Sequence, residues 1–476
     1  MLKIVFGTDG WRAVIGRDFT PYNVRVVAQA IADHLRDCGL NARGIVVGYD
    51  TRKGSRYFAE EVCKVMIGND IQVYLTKRDT PTPVVAYEVL RRSTGGAVMI
   101  TASHNLPEWN GVKFIPEYAG PALPDVTDAI SENIDRLFKV SEIKQSSIKK
   151  LAQSRLLEEI NPTMSYIDFV ESQMDSETIK RAKLRIVCDP MYGTARGYLD
   201  RILKRANCNV KVIHGNPDPD FGGHRPEPIP EFLTNLKAEI SRFNADLGLA
   251  TDGDSDRMAV YDQNGTYFSA NQLLPILFNY LVESGRRGGL VRSVATTHFA
   301  DRIAADHGLP VYEVPVGFKY VGQYLREKDV VIGAEESGGF SFKDHISEKD
   351  GIFTCVKIVE MRAETGKSIS QLLSELQSKY GPRINRRDSI QCPNNRKKAV
   401  MEKLALNIPD EIGGLPILSV NRIDGIKYIL QDEAWILIRP SGTEPLIRIY
   451  AESTDEKASN SILEEGKKLV SRAARE

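Results

Sequence analysis

The sequence lacks an excess of charge of either sign and lacks long apolar segments. Its 476 residues include 63 Lys and Arg and 63 Asp and Glu, so the formal net charge is zero. The basic excess of a nucleic-acid-binding protein is therefore missing. The longest apolar run, residues 273–282, is interrupted by Pro275 and Asn279 and is too short to cross a bilayer. Because no signal peptide precedes these segments either, we expect a cytoplasmic protein with no nucleic-acid or membrane partner.

Cysteine pairs and the common nucleotide-binding motifs are also missing. The six cysteines form no Cys-x-x-Cys pair and are interpreted as thiols of a reducing compartment. Gly366-Lys-Ser368 resembles the end of a phosphate-binding loop, but Met361 stands where that loop requires glycine. No Gly-x-Gly-x-x-Gly motif follows a strand-like run, and no Gly-x-Ser-x-Gly motif surrounds Ser103. Dinucleotide-binding folds and serine hydrolases are therefore not indicated.

The sequence does contain a regular alternation of helix-like and strand-like segments. Residues 21–38 carry apolar side chains at helical spacing, and residues 44–49 read as a strand that ends in the turn Asp50-Thr-Arg52. A strand, a polar turn and a helix recur after Leu184 and again after Leu290. This alternation predicts three related α/β units with parallel-rich sheets covered on both faces.

The last hundred residues have a different character. Beyond residue 380, strand-like segments follow one another closely and a charged helix over residues 454–475 closes the sequence. This pattern predicts a smaller α+β unit with an antiparallel sheet. The total length is consistent with three or four domains, and the polar segment 141–157 is a candidate linker between the first two.

Ser103 is a candidate nucleophile. The apolar run Gly95-Gly-Ala-Val-Met-Ile100 reads as a strand, and a polar segment with Ser103 and His104 follows it before Pro107 prevents a helix from starting. A hydroxyl on such a loop, with a histidine beside it and Lys113 ten positions on, is a plausible reactive group. The alternative is an ordinary polar turn at a strand end.

Three carboxylates in Asp252-Gly-Asp-Ser-Asp-Arg257 form a candidate metal site. They follow a strand-like run, and Gly253 permits the backbone turn that would bring them together. Oxygen ligands of this kind suit Mg²⁺. An EF-hand calcium-binding loop is not indicated, because Arg257 and Gln263 occupy the positions of its invariant Gly and Glu. The alternative is a solvated acidic turn.

Two further loops have the composition of ligand-binding segments. Gly333-Ala-Glu-Glu-Ser-Gly-Gly339 offers carboxylates and a hydroxyl to the hydroxyl groups of a sugar. Arg439-Pro-Ser-Gly-Thr-Glu-Pro-Leu-Ile-Arg448 offers hydroxyl, backbone and guanidinium donors to a phosphate. An exposed acidic loop and an ordinary hairpin are the respective alternatives.

In this order the loops resemble the signatures of the α-D-phosphohexomutase family, of the phosphoglucomutase/phosphomannomutase type. Phe6-Gly-Thr-Asp-Gly-Trp-Arg12 is similar to its amino-terminal signature, and the resemblance covers nearly the whole chain. It implies four domains around a central cleft: three related mixed α/β sandwich domains and a smaller α+β domain with an antiparallel sheet. The implied borders are 1–155 for the phosphoserine-bearing domain, 156–263 for the metal-binding domain, 264–380 for the sugar-specificity domain and 381–476 for the phosphate-binding domain.

The resemblance also implies a role for each loop. Ser103 would be the phosphoserine, and Mg²⁺ would be held by one of its phosphate oxygens together with the three aspartates, Asp252, Asp254 and Asp256. The groups implied in proton transfer and charge stabilisation are Lys113 and His104, and Arg12 and Arg257 are implied to face the reacting phosphate. The groups implied in binding the non-reacting phosphate are Arg439, Ser441, Gly442, Thr443 and Arg448. The implied partners are hexose phosphates, the implied activator is glucose 1,6-bisphosphate, and the chain is expected to be a monomer or homodimer.

The resemblance favours glucose as the sugar. Glu335-Glu-Ser337 looks like the phosphoglucomutase form of the loop, whereas phosphomannomutase-type members typically carry Met and phosphoglucosamine mutases Gln in place of Glu336. Lys349 lies in the segment 345–351, which looks phosphoglucomutase-like, and Lys319 lies in the segment 317–319, which resembles the specificity loop of the family's third domain. Both lysines are implied substrate contacts together with Glu335 and Ser337. The alternatives are a phosphomannomutase or phosphoglucosamine mutase, a metal-dependent phosphatase, and an inactive sugar-phosphate binder.

Overall fold

The computed structural model describes residues 4–7, 9–140, 142–147, 154–442 and 444–475. The chain divides into two compact units, each assembled from separated stretches of sequence. Unit 1 comprises Met1–Ser269, Gly322–Lys328 and Ser337–Ile369. Unit 2 comprises Ala270–Val321, Asp329–Glu336 and Ser370–Glu476.

A six-stranded mixed sheet forms the first layer of unit 1. Its order is β1-β5-β4-β2-β3-β6, and the strands are β1 (Trp11–Val14), β2 (Ile45–Tyr49), β3 (Val73–Thr76), β4 (Gly96–Ile100), β5 (Trp109–Pro116) and β6 (Leu157–Ile160). Strands β4, β2, β3 and β6 run parallel, while β5 is antiparallel to both β4 and β1. The helices of this region are α1 (Pro21–Asp37), α2 (Ser55–Gly68), α3 (Thr82–Arg92) and α4 (Pro124–Val140).

The helix predicted from residue 21 shows how local sequence sets these elements. Thr20 caps α1 by accepting a hydrogen bond from the backbone N–H of Asn23, and Pro21 occupies the first turn, where no N–H is required. Val24, Val27 and Ile31 lie on the buried side of the helix. Burial of such an apolar face supplies most of the stability of a helix of this length.

A second, five-stranded sheet follows in unit 1. Its order is β11-β10-β9-β7-β8, and the strands are β7 (Arg185–Asp189), β8 (Asn209–Val212), β9 (Leu247–Thr251), β10 (Met258–Asp262) and β11 (Tyr267–Phe268). Strand β7 is parallel to β8 and β9, whereas β10 is antiparallel to β9 and β11. The helices are α5 (Thr163–Glu171), α6 (Ser176–Ala182), α7 (Leu199–Arg205) and α8 (Thr234–Phe243).

The third α/β region contributes to both units. In unit 2, β12 (Gly289–Ser293) pairs in parallel with β13 (Val311–Val314) and β14 (Val330–Ala334). The apolar run 273–282 lies within helix α9 (Ala270–Glu283). Further elements of this region are α10 (Phe299–Asp306), α11 (Phe318–Glu327), β15 (Phe340–Phe342), α12 (Gly351–Thr365) and α13 (Ile369–Tyr380). Among the residues that the structure describes, no helix has the length and hydropathy needed to span a bilayer.

The last region of unit 2 is an antiparallel sheet covered by two helices. The sheet order is β16-β21-β20-β19-β18-β17, and the strands are β16 (Ile384–Gln391), β17 (Glu411–Ile412), β18 (Leu415–Asn421), β19 (Ile426–Leu430), β20 (Trp435–Pro440) and β21 (Leu446–Ser453). The helices are α14 (Asn394–Leu406) and α15 (Glu456–Arg475). Buried Ile436, Ile438 and Ile449 pack against these helices in an apolar core. The change from parallel to antiparallel pairing predicted after residue 380 is confirmed.

Candidate active site

Ser103 lies directly after β4, in the loop that returns as β5. Its side chain is buried, and its Oγ donates a hydrogen bond to Asp252 Oδ2 over 2.9 Å. The same Oγ lies 3.2 Å from Nδ1 of His104. Burial lowers the pKa of His104 well below its usual range, and Arg257 and Arg12 lower it further, which leaves a neutral ring beside the hydroxyl.

The backbone of this loop is held in an unusual shape. Ser103 has φ of 50°, in the left-handed region that non-glycine residues occupy at a cost. Its N–H donates to Thr101 Oγ1 over 2.8 Å. A Cβ at Gly111 would lie 2.5 Å from the Thr101 carbonyl oxygen, so glycine is required where β5 passes the loop. Ser103 is therefore displayed by local geometry that its neighbours enforce.

The three aspartates predicted as metal ligands converge in the loop between β9 and β10. One oxygen from each of Asp252, Asp254 and Asp256 lies within 4.8 Å of the others, and all three side chains are buried. The turn itself is made by Ser255, which has φ of 65°. Gly253 is required for a different reason from the predicted backbone turn. A Cβ at this position would lie 2.8 Å from the carbonyl oxygen of Ser103. Glycine thus permits the two loops to touch.

The aspartate loop has the donor set of a divalent cation site. Asp254 Oδ1 and Asp256 Oδ1 are buried and accept no hydrogen bond from the described residues. Burial raises the pKa of Asp252 well above its usual range, and the charges of Asp254 and Asp256 raise it further. Buried carboxylates in this arrangement repel one another unless a cation lies among them. Hard oxygen ligands at this spacing fit Mg²⁺.

Two lysines approach this loop from other parts of unit 1. Lys113, on β5, places its Nζ 3.6 Å from Asp256 Oδ2, and Lys349 places its Nζ 3.1 Å from the same oxygen. Glu348 lies between them, 3.0 Å from the Nζ of Lys113 and 3.6 Å from that of Lys349. Glu348 is fully buried. The structure therefore brings together both predicted lysines and adds the carboxylate of Glu348.

The two arginines assigned to the reacting phosphate also border this region. Arg12, on β1, donates to Asn105 Oδ1 over 2.9 Å and lies 3.9 Å from Asp9. The Nε of Arg257 lies 3.9 Å from Asp256 Oδ1, and this nitrogen donates no hydrogen bond to the described residues. A buried guanidinium nitrogen without a partner is a donor available to an anion.

The predicted sugar-binding residues are divided between the two units. In unit 2, Glu335 Oε1 accepts a hydrogen bond from the Gly317 N–H over 2.7 Å, and Gly317 is two residues before Lys319 in the chain. Glu336 Oε1 accepts from the Tyr450 hydroxyl over 3.2 Å, while its Oε2 is buried and accepts none from the described residues. Ser337 begins the next stretch of unit 1.

The predicted phosphate loop of unit 2 connects β20 to β21. Arg439 and Arg448 are directly paired across these strands. Their guanidinium groups lie 3.0 Å from Asp424 and 2.5 Å from Glu444, respectively. A guanidinium group has five N–H donors, so an arginine paired with one carboxylate can also donate to a phosphate.

Hydrogen bonds from neighbouring groups fix the backbone of the same loop. The Ser441 N–H donates to the Leu446 carbonyl, and Ser441 Oγ accepts from the Glu444 N–H over 3.2 Å. Buried Lys397 donates to the Ser441 carbonyl over 2.6 Å. Gly442 is exposed at the tip, and Thr443 lies outside the described residues.

Sequence reasoning missed several residues that support these loops. It interprets Asp50 and Arg52 only as a turn, although both are buried beside the Ser103 loop. It assigns no role to Glu348 or Lys397. A charged residue directly after a buried strand is the one local signal that could have marked Asp50, because such positions meet at one edge of a parallel sheet.

Comparison with known protein families places all four regions in one family. Residues 3–140, 164–265 and 269–380 match the phosphoglucomutase/phosphomannomutase alpha/beta/alpha domains I, II and III. Residues 390–468 match the C-terminal domain of the same family. The predicted four-domain architecture is confirmed, with three α/β domains and an antiparallel C-terminal domain.

Individual relatives align over nearly the whole chain. A protein of Thermococcus kodakarensis named "Phosphoglucomutase/phosphomannomutase" is 30% identical over 469 residues, covering 98% of this chain and 99% of the relative. A protein of Methanothermobacter thermautotrophicus named "Probable phosphoglucosamine mutase" is 33% identical over 456 residues, covering 95% of each.

A crystal structure shows the same agreement in three dimensions. A protein of Thermus thermophilus named as a phosphomannomutase is 30% identical and superposes with a TM-score of 0.84, covering 99% of both chains. The predicted family is confirmed by these relatives and by the domain matches. The chain belongs to the phosphoglucomutase/phosphomannomutase family of phosphohexomutases, which are isomerases that move a phosphate within sugar phosphates.

Proposed function

We propose that this phosphohexomutase interconverts hexose 1-phosphate and hexose 6-phosphate, with glucose preferred, through phosphoserine 103 and a sugar 1,6-bisphosphate intermediate. The observation that carries the proposal is the 2.9 Å contact between Ser103 Oγ and Asp252 Oδ2, inside the aspartate cluster. A hydroxyl beside a divalent cation site is the arrangement that phosphoryl transfer requires.

In the first half-reaction, a free sugar hydroxyl attacks the phosphorus of phosphoserine 103. The bond from phosphorus to Ser103 Oγ breaks as the bond to the sugar oxygen forms. The neutral ring of His104 is the candidate to accept the hydroxyl proton, and Lys113, which Glu348 keeps charged, is the candidate to stabilise charge. In the second half-reaction, Ser103 Oγ attacks the phosphorus of the other phosphate of the bisphosphate, the bond from that phosphorus to its sugar oxygen breaks, and the sugar oxygen takes up the proton. Catalytic bisphosphate, such as glucose 1,6-bisphosphate, restores any enzyme that has lost its phosphate.

The charges of unit 1 suit this transfer. Asp252, Asp254 and Asp256 would hold Mg²⁺, which neutralises charge on the transferring phosphoryl group when bound. The free Nε of Arg257 is a donor for the equatorial oxygens, and Arg12 is the second guanidinium assigned to them. Preorganised donors of this kind stabilise developing charge without reorganising during the reaction.

The phosphate that does not react would bind to unit 2. The paired guanidinium groups of Arg439 and Arg448 and the donors of Ser441 and Gly442 support this assignment. Thr443 keeps the role that the family resemblance implies. Because the bisphosphate presents either of its phosphates to the same loop, recognition must depend on the phosphate group alone. Arginines with adaptable hydroxyl and backbone donors meet that requirement.

The sugar preference depends on the loop around Glu336. Glu335, Ser337, Lys319 and Lys349 are the proposed contacts to the sugar and its phosphate. The free Oε2 of Glu336 is an acceptor, which suits a sugar hydroxyl as in glucose. The same carboxylate also suits the ammonium group of glucosamine, and several relatives are named as phosphoglucosamine mutases. Glucosamine phosphate is therefore the second candidate substrate.

The deciding experiment compares kcat/KM for glucose, mannose and glucosamine 1-phosphates, with Mg²⁺ and a trace of the matching bisphosphate. We expect a preference for glucose of at least about tenfold, which corresponds to about 1.4 kcal/mol of transition-state discrimination. Ser103→Ala should abolish turnover of every sugar. A preference for glucosamine would replace the sugar assignment, and phosphate release without isomerisation would indicate a phosphatase.

A further inference from the structure

Arg52 is a buried arginine whose guanidinium N–H groups all donate either to the Ser103 loop or to Asp50. It follows β2 in the turn Asp50-Thr-Arg52 and is 3% exposed. A guanidinium group has five N–H donors in a fixed plane. In this structure four of them are directed to backbone carbonyl oxygens of residues 103–109, and the fifth to a carboxylate.

The four carbonyl contacts follow the loop from its start to its end. One terminal nitrogen of Arg52 donates to the carbonyls of Ser103 and Asn105 over 2.6 and 2.7 Å. The other donates to the carbonyls of Leu106 and Trp109 over 2.7 and 3.1 Å. A single planar group thus fixes the loop on both sides of its turn.

The guanidinium plane is itself fixed from two directions. Its Nε donates to Asp50 Oδ2 over 3.1 Å, and Asp50 Oδ1 accepts from Ser55 Oγ over 2.7 Å and from the Arg52 N–H over 3.0 Å. The ring of Phe221, from the second domain, lies 5.0 Å from the guanidinium carbon. An aromatic ring against one face and a paired carboxylate at the edge together leave the group little freedom to rotate.

Of the four carbonyl contacts of Arg52, the one to Ser103 has the most direct effect on where the Ser103 side chain points. Ser103 has φ of 50°, and its carbonyl oxygen lies between Arg52 and the backbone of Gly253 in the aspartate loop. Rotation of Ser103 into ordinary backbone geometry would turn this carbonyl away from Arg52. It would also move Oγ relative to Asp252, because the side chain follows its own backbone.

We propose that Arg52 is a positioning residue that holds Ser103 Oγ in line for phosphoryl transfer in both half-reactions, without touching substrate. This inference rests on the proposed role of Ser103 as the phosphoryl carrier. Arg52 is too fully occupied by the loop carbonyls to bind a phosphate, so it acts through backbone geometry. Lysine retains the charge but has three donors in a tetrahedral arrangement, so it cannot replace the four carbonyl contacts.

The first test is Arg52→Lys in the full-length enzyme with Mg²⁺ and bisphosphate. We expect kcat to fall about tenfold to a hundredfold, the loss typical of a small misplacement of reacting groups, with KM for glucose 1-phosphate unchanged within about twofold. Arg292→Lys is the matched control, since Arg292 is also 3% exposed but binds Asp301 and Glu313 in unit 2. The control should retain wild-type kcat.

A single-turnover measurement provides a readout that a loss of stability would not change. Enzyme labelled with radioactive phosphate at Ser103 is mixed with glucose 6-phosphate, and label is followed into sugar phosphates (the bisphosphate and the glucose 1-phosphate formed from it) and into inorganic phosphate. Misaligned phosphoserine should transfer more slowly to sugar, so a larger share of the label should reach water in Arg52→Lys than in the wild type. Equal rates and equal partition in a folded variant would overturn the inference.

A second variant keeps the proposal testable if Arg52→Lys does not fold. Asp50→Asn preserves volume and weakens the anchor of the Arg52 Nε, so it should lower kcat in the same way while leaving KM unchanged. A folded Asp50→Asn enzyme with wild-type kcat and partition would contradict the proposal. Wild-type enzyme that takes no label at Ser103 would instead contradict the phosphoserine mechanism, so the two failures are distinguishable.

Discussion

The buried carboxylates of the aspartate loop present opposite requirements with and without a cation. In a cation-free protein they repel one another, as the raised pKa of Asp252 reflects, since burial and then the charges of its two neighbours disfavour ionisation. With Mg²⁺ bound, the same charges become ligands. A substitution that removes one charge should therefore change the two states in opposite directions.

Asp254→Asn tests this prediction at the level of one side chain. Without Mg²⁺ the variant should be at least as stable as the wild type, because one repulsive charge is gone and the amide oxygen can still accept from Thr82 Oγ1, now 2.6 Å from Asp254 Oδ2. Mg²⁺ at about a hundred times its Kd should stabilise the wild type by about 2.7 kcal/mol and the variant far less. Thermal melts with Mg²⁺ and with EDTA provide the measurement.

Asp262→Asn is the matched control for this experiment. Asp262 is buried at the end of β10, beyond the aspartate loop, and accepts a hydrogen bond from the Gln263 N–H. It should leave the Mg²⁺-dependent rise in Tm unchanged. An equal rise in the wild type and in Asp254→Asn would contradict the assignment of the metal site.

At the scale of strands and helices, His214 joins two neighbouring parallel strands. It follows β8, and its Nδ1 lies 3.0 Å from Asp189, the last residue of β7. The hydrogen bond to Asp189 raises the pKa of His214 above its ordinary value of 6.5. Charged His214 therefore stabilises the folded protein, and this contribution is fully present below pH 6.5 and is lost as the pH rises through the folded-state pKa.

The corresponding variant is His214→Gln. The difference in unfolding free energy between wild type and variant should be larger at pH 6 than at pH 9, by about 0.5 kcal/mol because the partly exposed pair is screened by solvent. Urea denaturation at both pH values measures this difference. The same difference at both pH values would show that His214 is not charged in the folded protein.

The alternation of elements was predictable because each helix and strand carries its own periodicity. The predictions for residues 21–38 and 44–49 are correct in type, and the observed bounds differ by one residue. Strand β5 was missed, because Trp109–Pro116 is buried almost throughout and shows no alternation of polar and apolar residues. The predicted domain borders stay predictions; β6, placed after the first of them, pairs with β3 of the first sheet.

The site shows a different limit of sequence reasoning. Ser103 and Asp252 are 149 positions apart, so no local pattern places them in contact, and the family resemblance supplied that pairing. The resemblance assigned no role to Arg52 or Glu348. Their importance depends on which carbonyls and ammonium groups surround them, and this is a property of the folded chain alone.

At the scale of whole domains, a buried charge cluster joins the two regions of unit 2. Lys427, on β19, is fully buried and donates to the Val294 carbonyl over 2.8 Å and to His298 Nε2 over 2.7 Å. Burial and the nearby Arg292 lower its pKa to about 8. Glu313, 2.9 Å away, opposes this effect, but it also binds Arg292, so burial dominates.

Stability should therefore rise with pH in alkaline solution. Between pH 8 and about 10.4, the usual pKa of lysine, the unfolded chain holds a proton that folded Lys427 has released, so folding becomes more favourable by up to about 1.4 kcal/mol for each pH unit. Lys427→Met should remove this rise. Denaturation curves at pH 8, 9 and 10 provide the comparison, and parallel curves for both proteins would contradict the lowered pKa.

The discontinuous composition of unit 1 has a consequence for synthesis on the ribosome. Glu348 and Lys349, which contact Lys113 and Asp256, belong to a stretch that leaves the ribosome well after the last strand of the second sheet. At typical elongation rates, the roughly 80 residues between the last strand of the second sheet and Glu348 take about 4–16 s to synthesise. Until this stretch is synthesised, Asp256 lacks the ammonium group of Lys349 and Lys113 lacks the carboxylate of Glu348, so these ion pairs of the candidate site form only after most of the chain has been made.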